Sequence, residues 1–239
     1  MEQIKYEFEF TGKHLVSASK VIDSIIEYLP EINSFLDFGC GMGVFSAAME
    51  EKGFTNFKMV DHPLLPSDKL LVKRKENFLP VDLDKNLPEL RKFDLAICLE
   101  VLEHFSNKRS LELLDFLVDS SDLILFSAAI PRQLGTGHIN EQWHDYWHSE
   151  FAKRGFGYFD RFKIDLINDK NILYCYRQNL FLYFNLKNIN DFDNTKNITS
   201  DEIFLISSHI IKRPYGFGEV LKMLPSSFKR SFLAFLQRF

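Results

Sequence analysis

One acid and three glycines stand in a spacing that could bind a nucleotide-like ligand. The segment 35–38, FLDF, is mostly apolar, as the end of a buried strand would be, and it contains Asp37. Gly39, Gly41 and Gly43 follow at alternate positions, and a helix-like segment begins directly after them. Glycine permits positive φ and carries no side chain, and the free N–H groups at a helix start favour anionic groups. This order of elements predicts a backbone loop that lies against the ligand.

Three further acids stand at the ends of later predicted strands: Asp61, Asp82 and Glu100. In a parallel sheet the carboxyl ends of the strands meet at one edge, where ligands bind. A carboxylate at the end of the second strand can accept hydrogen bonds from both hydroxyls of a ribose. The acids and the glycine loop therefore predict a single site at this edge.

Apolar periodicity predicts the elements that must position these residues. Helices and strands alternate, which implies an α/β fold with a doubly wound, mostly parallel seven-stranded sheet. The predicted elements are helix 13–28, strand 34–38, helix 43–52, strand 57–61, helix 67–73, strand 78–81, a turn or short helix at 84–91, strand 93–99, helix 108–119, strand 122–127, helix 141–154, and strands 156–163 and 172–184.

The acid-x-Gly-x-Gly-x-Gly pattern resembles motif I of the class I S-adenosylmethionine-dependent methyltransferases. A dinucleotide fingerprint would need glycine where Val44 stands. The segment Glu100–His104, EVLEH, resembles the E-V-x-E-H segment of the same family. The resemblance implies a Rossmann-like sheet, an antiparallel closing pair formed by 156–163 and 172–184, and S-adenosylmethionine as the cofactor.

The resemblance also assigns expected roles to single residues. Asp37 would help to fix the cationic end of the cofactor, Asp61 would hold the ribose, and Asp82 would lie by the adenine. Glu100 would border the cofactor and the substrate entrance. The predicted cofactor-binding residues are Asp37, Gly39, Cys40, Gly41, Gly43, Asp61, His62, Asp82, Leu83, Leu99, Glu100 and His104.

A second cluster of chemistry-bearing residues follows the fifth predicted strand. Residues 137–143 read GHINEQW, and together with the later pair Gln178–Asn179 they resemble a subgroup of these methyltransferases associated with bacterial surface-polysaccharide and sugar modification. The resemblance implies an O-methyltransferase acting on the hydroxyl of a small molecule, with a sugar or nucleotide-sugar as the partner. The predicted substrate-binding residues are His138, Asn140, Trp143, His144 and Trp147.

A sugar hydroxyl is a weak acid, so the reaction calls for a base, and histidine suits this role near neutral pH. His138 is the first candidate and His104 the second, while a structural hydrogen-bonding role stays open for each. Trp143 and Trp147 stand four residues apart and could stack on a sugar or nucleobase, or one of them could anchor the helix in the core.

A divalent ion is an alternative means of acidifying the hydroxyl. Four residues were weighed as ligands for it: His138, Glu141, His144 and His148. No clear pair of acids accompanies them near the predicted strand ends, so the prediction is that no metal is bound. Two other functions stay open, a methyltransferase for a quinone- or lipid-like molecule at a membrane surface and a non-catalytic partner protein that kept the fold.

Composition bounds the remaining possibilities. The chain has 239 residues, of which 46% are hydrophobic, and a formal net charge of −4, which argues against nucleic acid as a partner. Its three cysteines predict free thiols in a reducing compartment. The first five residues, MEQIK, do not resemble a signal peptide, and no apolar run approaches the roughly 20 residues of a membrane span. The predicted location is the cytoplasm.

The predicted methyltransferase domain covers residues 1–185, with 13–29 as an N-terminal cover helix, and 186–239 forms a C-terminal extension. Residues 203–211 could add a strand. The last segment, 212–239, is basic, and four phenylalanines share one face of a predicted helix there: Phe228, Phe232, Phe235 and Phe239. This helix could pack on the domain or on a second subunit, or contact an anionic membrane surface; contact with nucleic acid was the third alternative.

Overall fold

The computed structural model describes residues 12–29 and 31–188. Its seven-stranded sheet has the order β3-β2-β1-β4-β5-β7-β6. The strands are β1 Phe35–Phe38, β2 Phe57–Asp61, β3 Phe78–Pro80, β4 Leu95–Leu99, β5 Leu123–Ser127, β6 Phe156–Phe159 and β7 Phe181–Asn185. The first five pair in parallel, and β7 runs antiparallel to both β5 and β6. The predicted mostly parallel sheet with an antiparallel closing pair is confirmed.

Helices cover both faces of this sheet. They are α1 Gly12–Ile26, α2 Val44–Glu51, α3 Asn107–Ser120, α4 His144–Lys153, α5 Lys163–Leu166 and α6 Tyr174–Asn179. Successive strand residues point to opposite faces, so in β5 the side chains of Leu123 and Leu125 join a core with α1 and α2. Ile124 and Phe126 join a second core with α3 and α4. Burial on both faces explains why the central strands are nearly continuous apolar runs.

One predicted helix is wrong. Instead of a helix at 67–73, the structure has one turn of 3-10 helix at Ser67–Lys69. Leu70 and Val72 beyond it are buried while Leu71 is 40% exposed, an alternation that a helix would not give. Residues 84–91, predicted as a turn or short helix, form a turn followed by irregular backbone. Another predicted helix, at 141–154, begins only at His144.

The two closing strands are much shorter than predicted. Residues 160–180 contain α5 and α6 in place of extended chain. Phe162 and Leu166 are both buried in the core that includes α1, and their spacing of four residues is that of one helical face. Residues 186–188 add one 3-10 turn after β7. The predicted strand at 203–211 and the Phe-rich helix of the tail lie outside the described residues.

Within residues 12–29 and 31–188, none of the helices combines the length and the apolar character that a membrane crossing requires.

Candidate active site

The glycine loop between β1 and α2 has the backbone that the sequence predicts. Gly39, Gly41 and Gly43 have φ of 72°, 52° and 75°, values that favour glycine over every other residue. A Cβ on Gly39 would lie 2.5 and 2.6 Å from the two methyl groups of Val101. The N–H of Gly39 donates to the Val60 carbonyl, 2.8 Å away. The loop is thus held tightly against the ends of two neighbouring strands.

Asp61 connects this loop to the end of β2. Its two carboxylate oxygens accept hydrogen bonds from the N–H of Gly41 at 2.7 Å and from the N–H of His62 at 2.6 Å. Burial raises the pKa of Asp61, and these two hydrogen bonds act against the rise. A carboxylate offers about four acceptor positions, so two further donors can bind after these N–H groups. The two hydroxyls of a ribose match that capacity.

Asp37 is a buried acid beneath the loop. Its side chain is 4% exposed, and one oxygen accepts a hydrogen bond from the Ser46 hydroxyl at 2.6 Å. Burial raises the pKa of Asp37 from 3.8 to about 7, against the lowering by Ser46. A nearby positive charge would favour the ionised form. The position is therefore suited to the cationic end of a ligand, as predicted for Asp37.

The edge that the sequence assigns to the adenine is built around Asp82. Lys85 donates to its carboxylate at 2.5 Å, and this hydrogen bond lowers the pKa of Asp82. His62 lies beside it, with Nε2 3.8 Å from the nearer Asp82 oxygen. Leu83 is buried, and its carbonyl accepts a hydrogen bond from Arg109 at 2.7 Å. These contacts fix the chain after β3, and the N–H of Leu64 donates to Nδ1 of His62 at 3.2 Å.

Cys40 and Leu99 complete the predicted cofactor set. The Cys40 thiol lies 3.3 Å from the carbonyl of Gly41, to which it donates, and burial raises its pKa well above the ordinary value. Cys40 therefore stays a neutral thiol. Leu99 ends β4 and packs, partly buried, against the core that includes α1. Both residues offer an apolar surface beside the charged groups of the loop.

Glu100 begins the acceptor side of the site, directly after β4. It has a φ of 55°, which is unusual for a residue with a side chain. Its carboxylate accepts hydrogen bonds from the side chains of Gln133 at 2.5 Å and Asn179 at 3.3 Å. Asn179 in turn lies 3.1 Å from Nε2 of His144. Burial raises the pKa of Glu100, so the amide groups stabilise a carboxylate that has little water around it.

The two predicted bases lie side by side. The rings of His104 and His138 are 4.9 Å apart between centroids and nearly perpendicular. Nδ1 of His138 is 3.0 Å from a Glu141 oxygen. Two effects lower the pKa of His104: chiefly its burial, and secondly the electrostatic effect of the nearby His138. The lowered pKa favours the neutral imidazole. The hydrogen bond from His138 lowers the pKa of Glu141, which favours its ionised form.

Glu103 lies beneath this histidine pair. Its side chain is fully buried, and neither carboxylate oxygen has a hydrogen-bond partner among the described residues. Burial raises its pKa well above the ordinary value, although the nearby N–H groups of Glu103 itself and of Ala129 lower it. The Glu103 carbonyl accepts hydrogen bonds from the N–H groups of Ile139 and Asn140, at 2.9 and 3.0 Å. The loop that carries His138 is therefore attached to the turn that carries His104.

The predicted substrate-binding residues separate into exposed and buried groups. Trp143 is 60% exposed beside this loop and precedes α4, so its ring is available to a ligand. Trp147 is 2% exposed and packs against Phe126 in the core, so its predicted contact with substrate is wrong. Asn140 is buried, and its amide bonds the side chains of Ser110 and Gln142. It shapes the loop from beneath.

The four residues weighed as metal ligands do not come together as a set. Nδ1 of His148 bonds the Tyr183 hydroxyl at 2.7 Å, and the His148 ring stacks on Tyr158 in the core. Nε2 of His144 lies 3.1 Å from the amide oxygen of Asn179. Within the described residues a different group gathers: one ligand atom each from Glu103, His104 and His138 lies within 4.8 Å of the other two.

Sequence reasoning missed three residues of this site: Glu103, Gln133 and Asn179. Glu103 stands inside the EVLEH segment and Asn179 inside the Gln178–Asn179 pair, so a signal for both was present. Gln133 carries no such signal. It bonds both Glu100 and Asn179, the latter at 2.6 Å, because the loop after β5 folds back across the sheet edge.

Comparisons with known proteins agree with this architecture. A family described as a methyltransferase domain matches residues 13–171. The curated malonyl-[acyl-carrier protein] O-methyltransferase 2 of Ilyobacter polytropus is 33% identical over 128 residues, which are 51% of this chain and 48% of that protein. The chain thus spans about half the length of this relative.

Solved structures share the fold at low identity. The plantazolicin methyltransferase BpumL, solved with S-adenosylhomocysteine and a pentazolic substrate analogue, superposes with a TM-score of 0.52 at 15% identity, covering 75% of this chain and 86% of that one. A methyltransferase from Clostridium acetobutylicum superposes with a TM-score of 0.51 at 12% identity, covering 74% of this chain and 92% of that one.

The residues at the sheet edge fit S-adenosylmethionine. The loop has room only for glycine at Gly39, Asp61 has unused acceptor capacity, and the acid at Asp37 lies where a cation would stabilise its charge. The predicted sugar subgroup is not supported by the comparisons, and the predicted residue roles remain predictions. The seven-stranded sheet, the fitted glycine loop and the match over residues 13–171 together show that the chain belongs to the S-adenosylmethionine-dependent methyltransferase family.

Proposed function

We propose that the protein transfers the methyl group of S-adenosylmethionine to a hydroxyl oxygen of a small molecule. The observation that carries this proposal is the His138–Glu141 pair, 3.0 Å apart, next to His104 on the acceptor side. A hydroxyl acceptor needs a general base. In this pair the Glu141 carboxylate would orient the His138 ring for that role.

The hydrogen bond determines which nitrogen of His138 would act. The lowered pKa of Glu141 favours its ionised form, and an ionised carboxylate accepts hydrogen bonds but does not donate them. Nδ1 of His138 therefore carries the proton, and Nε2 keeps a lone pair. During the reaction the S–CH₃ bond breaks as the O–CH₃ bond forms, and the hydroxyl proton moves to Nε2. His138 becomes an imidazolium that ionised Glu141 stabilises, and S-adenosylhomocysteine leaves.

Alignment of the acceptor oxygen supplies the other part of the rate. Holding two reacting groups in line contributes about 7–11 kcal/mol in favourable cases. The Glu100–Gln133–Asn179 hydrogen bonds and the exposed Trp143 provide polar and aromatic groups near the base for this purpose. A sugar or nucleotide-sugar, which stacks on aromatic rings and carries several hydroxyls, suits such a surface.

The curated relative favours a second candidate acceptor. Its name describes an O-methyltransferase for a malonyl group on an acyl carrier protein, so an acceptor of that class would present a carboxylate oxygen. A carboxylate is already ionised at neutral pH, and it needs no base. The two candidates therefore differ in what the loss of His138 does to turnover.

The test measures S-adenosylhomocysteine formation with a panel of nucleotide-sugars and with malonyl-carrier conjugates. For a hydroxyl acceptor, His138→Asn should lower kcat by about 10²–10⁴-fold, with cofactor affinity unchanged. Glu141→Gln should cost less, because an amide oxygen still accepts the Nδ1 proton. Glu51→Gln, on the exposed end of α2, is the matched control. Full turnover by His138→Asn on the preferred acceptor would reject the base and favour a carboxylate.

A further inference from the structure

We propose that Glu103, His104 and His138 bind a divalent transition-metal ion of the zinc class on the acceptor side of the site. One ligand atom from each residue lies within 4.8 Å of the other two. This assignment replaces the sequence-based prediction that no metal is bound. The ion site is inferred from the geometry of the three side chains. The role of the ion in the reaction rests on the proposed function.

The carboxylate of Glu103 carries the first argument. A buried polar group without a hydrogen bond costs free energy, and both Glu103 oxygens lack a partner among the described residues. A buried carboxylate therefore needs either a proton or a cation. An ion beside the histidines would give at least one of these oxygens a partner and would offset the desolvation of the charge.

The second argument is the orientation of the two histidines. Metal-binding histidines usually donate their other ring nitrogen to a carboxylate or a backbone carbonyl. Nδ1 of His138 lies 3.0 Å from Glu141, and the backbone of Gly137 makes a hydrogen bond to His104. Each ring thus keeps one nitrogen for an ion.

The donor set decides the class of ion. Two imidazoles and one carboxylate suit Zn²⁺ and its neighbours, whereas Mg²⁺ and Ca²⁺ prefer oxygen ligands. Metal–ligand bonds of about 2.0–2.2 Å bring ligand atoms to roughly 3–4 Å from one another, so the three side chains need only a small inward movement. Three protein ligands leave a position open. An acceptor hydroxyl placed there would have a lower pKa. Because Nε2 of His138 would then be bound to the ion, this activation would replace proton transfer to that nitrogen, and the hydroxyl proton would leave to solvent water.

The packing of the loop supports a built site. A Cβ on Gly135 would overlap the ring of His138, and one on Gly137 would lie 3.5 Å from Nδ1 of His104. The two glycines therefore let the loop close over both rings.

The test uses the full-length protein, treated with chelator and titrated with Co²⁺ and then Zn²⁺ by calorimetry and by the visible absorption of bound Co²⁺. The wild type should take up about one ion per chain with a perturbed Co²⁺ spectrum. Glu103→Gln, His104→Asn and His138→Asn should each weaken binding by at least about tenfold. His14→Asn, on α1 and outside the cluster, is the matched control and should bind as the wild type does.

Thermal unfolding with and without the ion guards against misfolded variants. The ion should raise the Tm of the wild type and of His14→Asn but not of Glu103→Gln. No Co²⁺ uptake by the folded wild type, or unchanged uptake by Glu103→Gln, would overturn the site. Metal binding without any hydroxyl methylation would support the metal site and reject the proposed function. Hydroxyl methylation that is insensitive to chelator, without metal binding, would support the proposed function and reject the metal site.

Discussion

The cofactor side and the acceptor side of the site are built in different ways. On the cofactor side, the glycine loop and Asp61 are held by backbone hydrogen bonds between neighbouring strands. On the acceptor side, side chains hold one another: Glu100 meets Asn179 across 79 positions of the chain, and His144 meets the same Asn179 across 35. The first region fixes a shape for one ligand, and the second region arranges titratable groups for a reaction.

The largest expected effect is on the cofactor side. Gly39→Ala should destabilise the fold by about 3 kcal/mol, because a positive φ costs a non-glycine residue about 1–2 kcal/mol and the new Cβ overlaps Val101. Gly155→Ala also has a positive φ, but nothing lies within 4 Å of its Cβ, so it should cost only about 1 kcal/mol. Urea unfolding measures both variants.

The double variant Gly39→Ala/Val101→Ala separates strain from overlap. It should recover part of the loss, since the methyl groups that meet the Cβ are removed. Equal destabilisation by Gly39→Ala and Gly155→Ala would contradict the tight packing of the loop.

A second test concerns the acid beneath the loop. With its pKa raised from 3.8 to about 7, Asp37 contributes stability that is fully present below pH 3.8 and is lost as the pH rises through 7. Asp37→Asn should remove this dependence and stabilise the fold at pH 8 by about 2 kcal/mol. The same variant should bind S-adenosylmethionine more weakly. Unfolding curves at pH 5 and pH 8, with calorimetry of the cofactor, measure both effects; a loss of stability at pH 8 would contradict the account.

The core around His148, next to the acceptor side, should respond to acid instead. Burial lowers the pKa of His148 from 6.5 to about 3, so its contribution to stability is present above pH 6.5 and is lost as the pH falls toward 3. Between pH 7 and pH 5 the loss should be about 1–2 kcal/mol. His148→Gln should flatten this part of the stability profile, whereas His14→Asn should not. If the free energy of unfolding fell equally in both variants between pH 7 and pH 5, the acid sensitivity would arise from a group other than His148.

The smallest effect is expected at Trp143. Because its ring is 60% exposed, Trp143→Ala should change the free energy of unfolding by less than about 0.5 kcal/mol. It should raise KM for the acceptor and leave kcat nearly unchanged, as expected for a residue that only binds. Unchanged KM for every accepted acceptor would remove Trp143 from the site.

The same contrast explains what the sequence could predict. The glycine loop, the position of Asp61 at the end of β2 and the mostly parallel sheet depend on local patterns of glycine and apolar residues, and these predictions agree with the structure. The acceptor side depends on long-range contacts. The largely apolar run 172–184 predicts a long strand that includes Asn179, whereas in the structure Asn179 ends α6. Trp147 looks like a ligand-stacking residue in sequence, and only the packing of α4 on the sheet shows that it is buried.

The most direct test of this division measures S-adenosylhomocysteine binding by calorimetry in the wild type, Asp61→Asn and His138→Asn. Losing the charged acceptor of two ribose hydroxyls should weaken binding by about 100-fold in Asp61→Asn. His138→Asn should bind like the wild type while losing turnover. Equal weakening in both variants, or wild-type affinity in Asp61→Asn, would contradict a cofactor side and an acceptor side with separate roles.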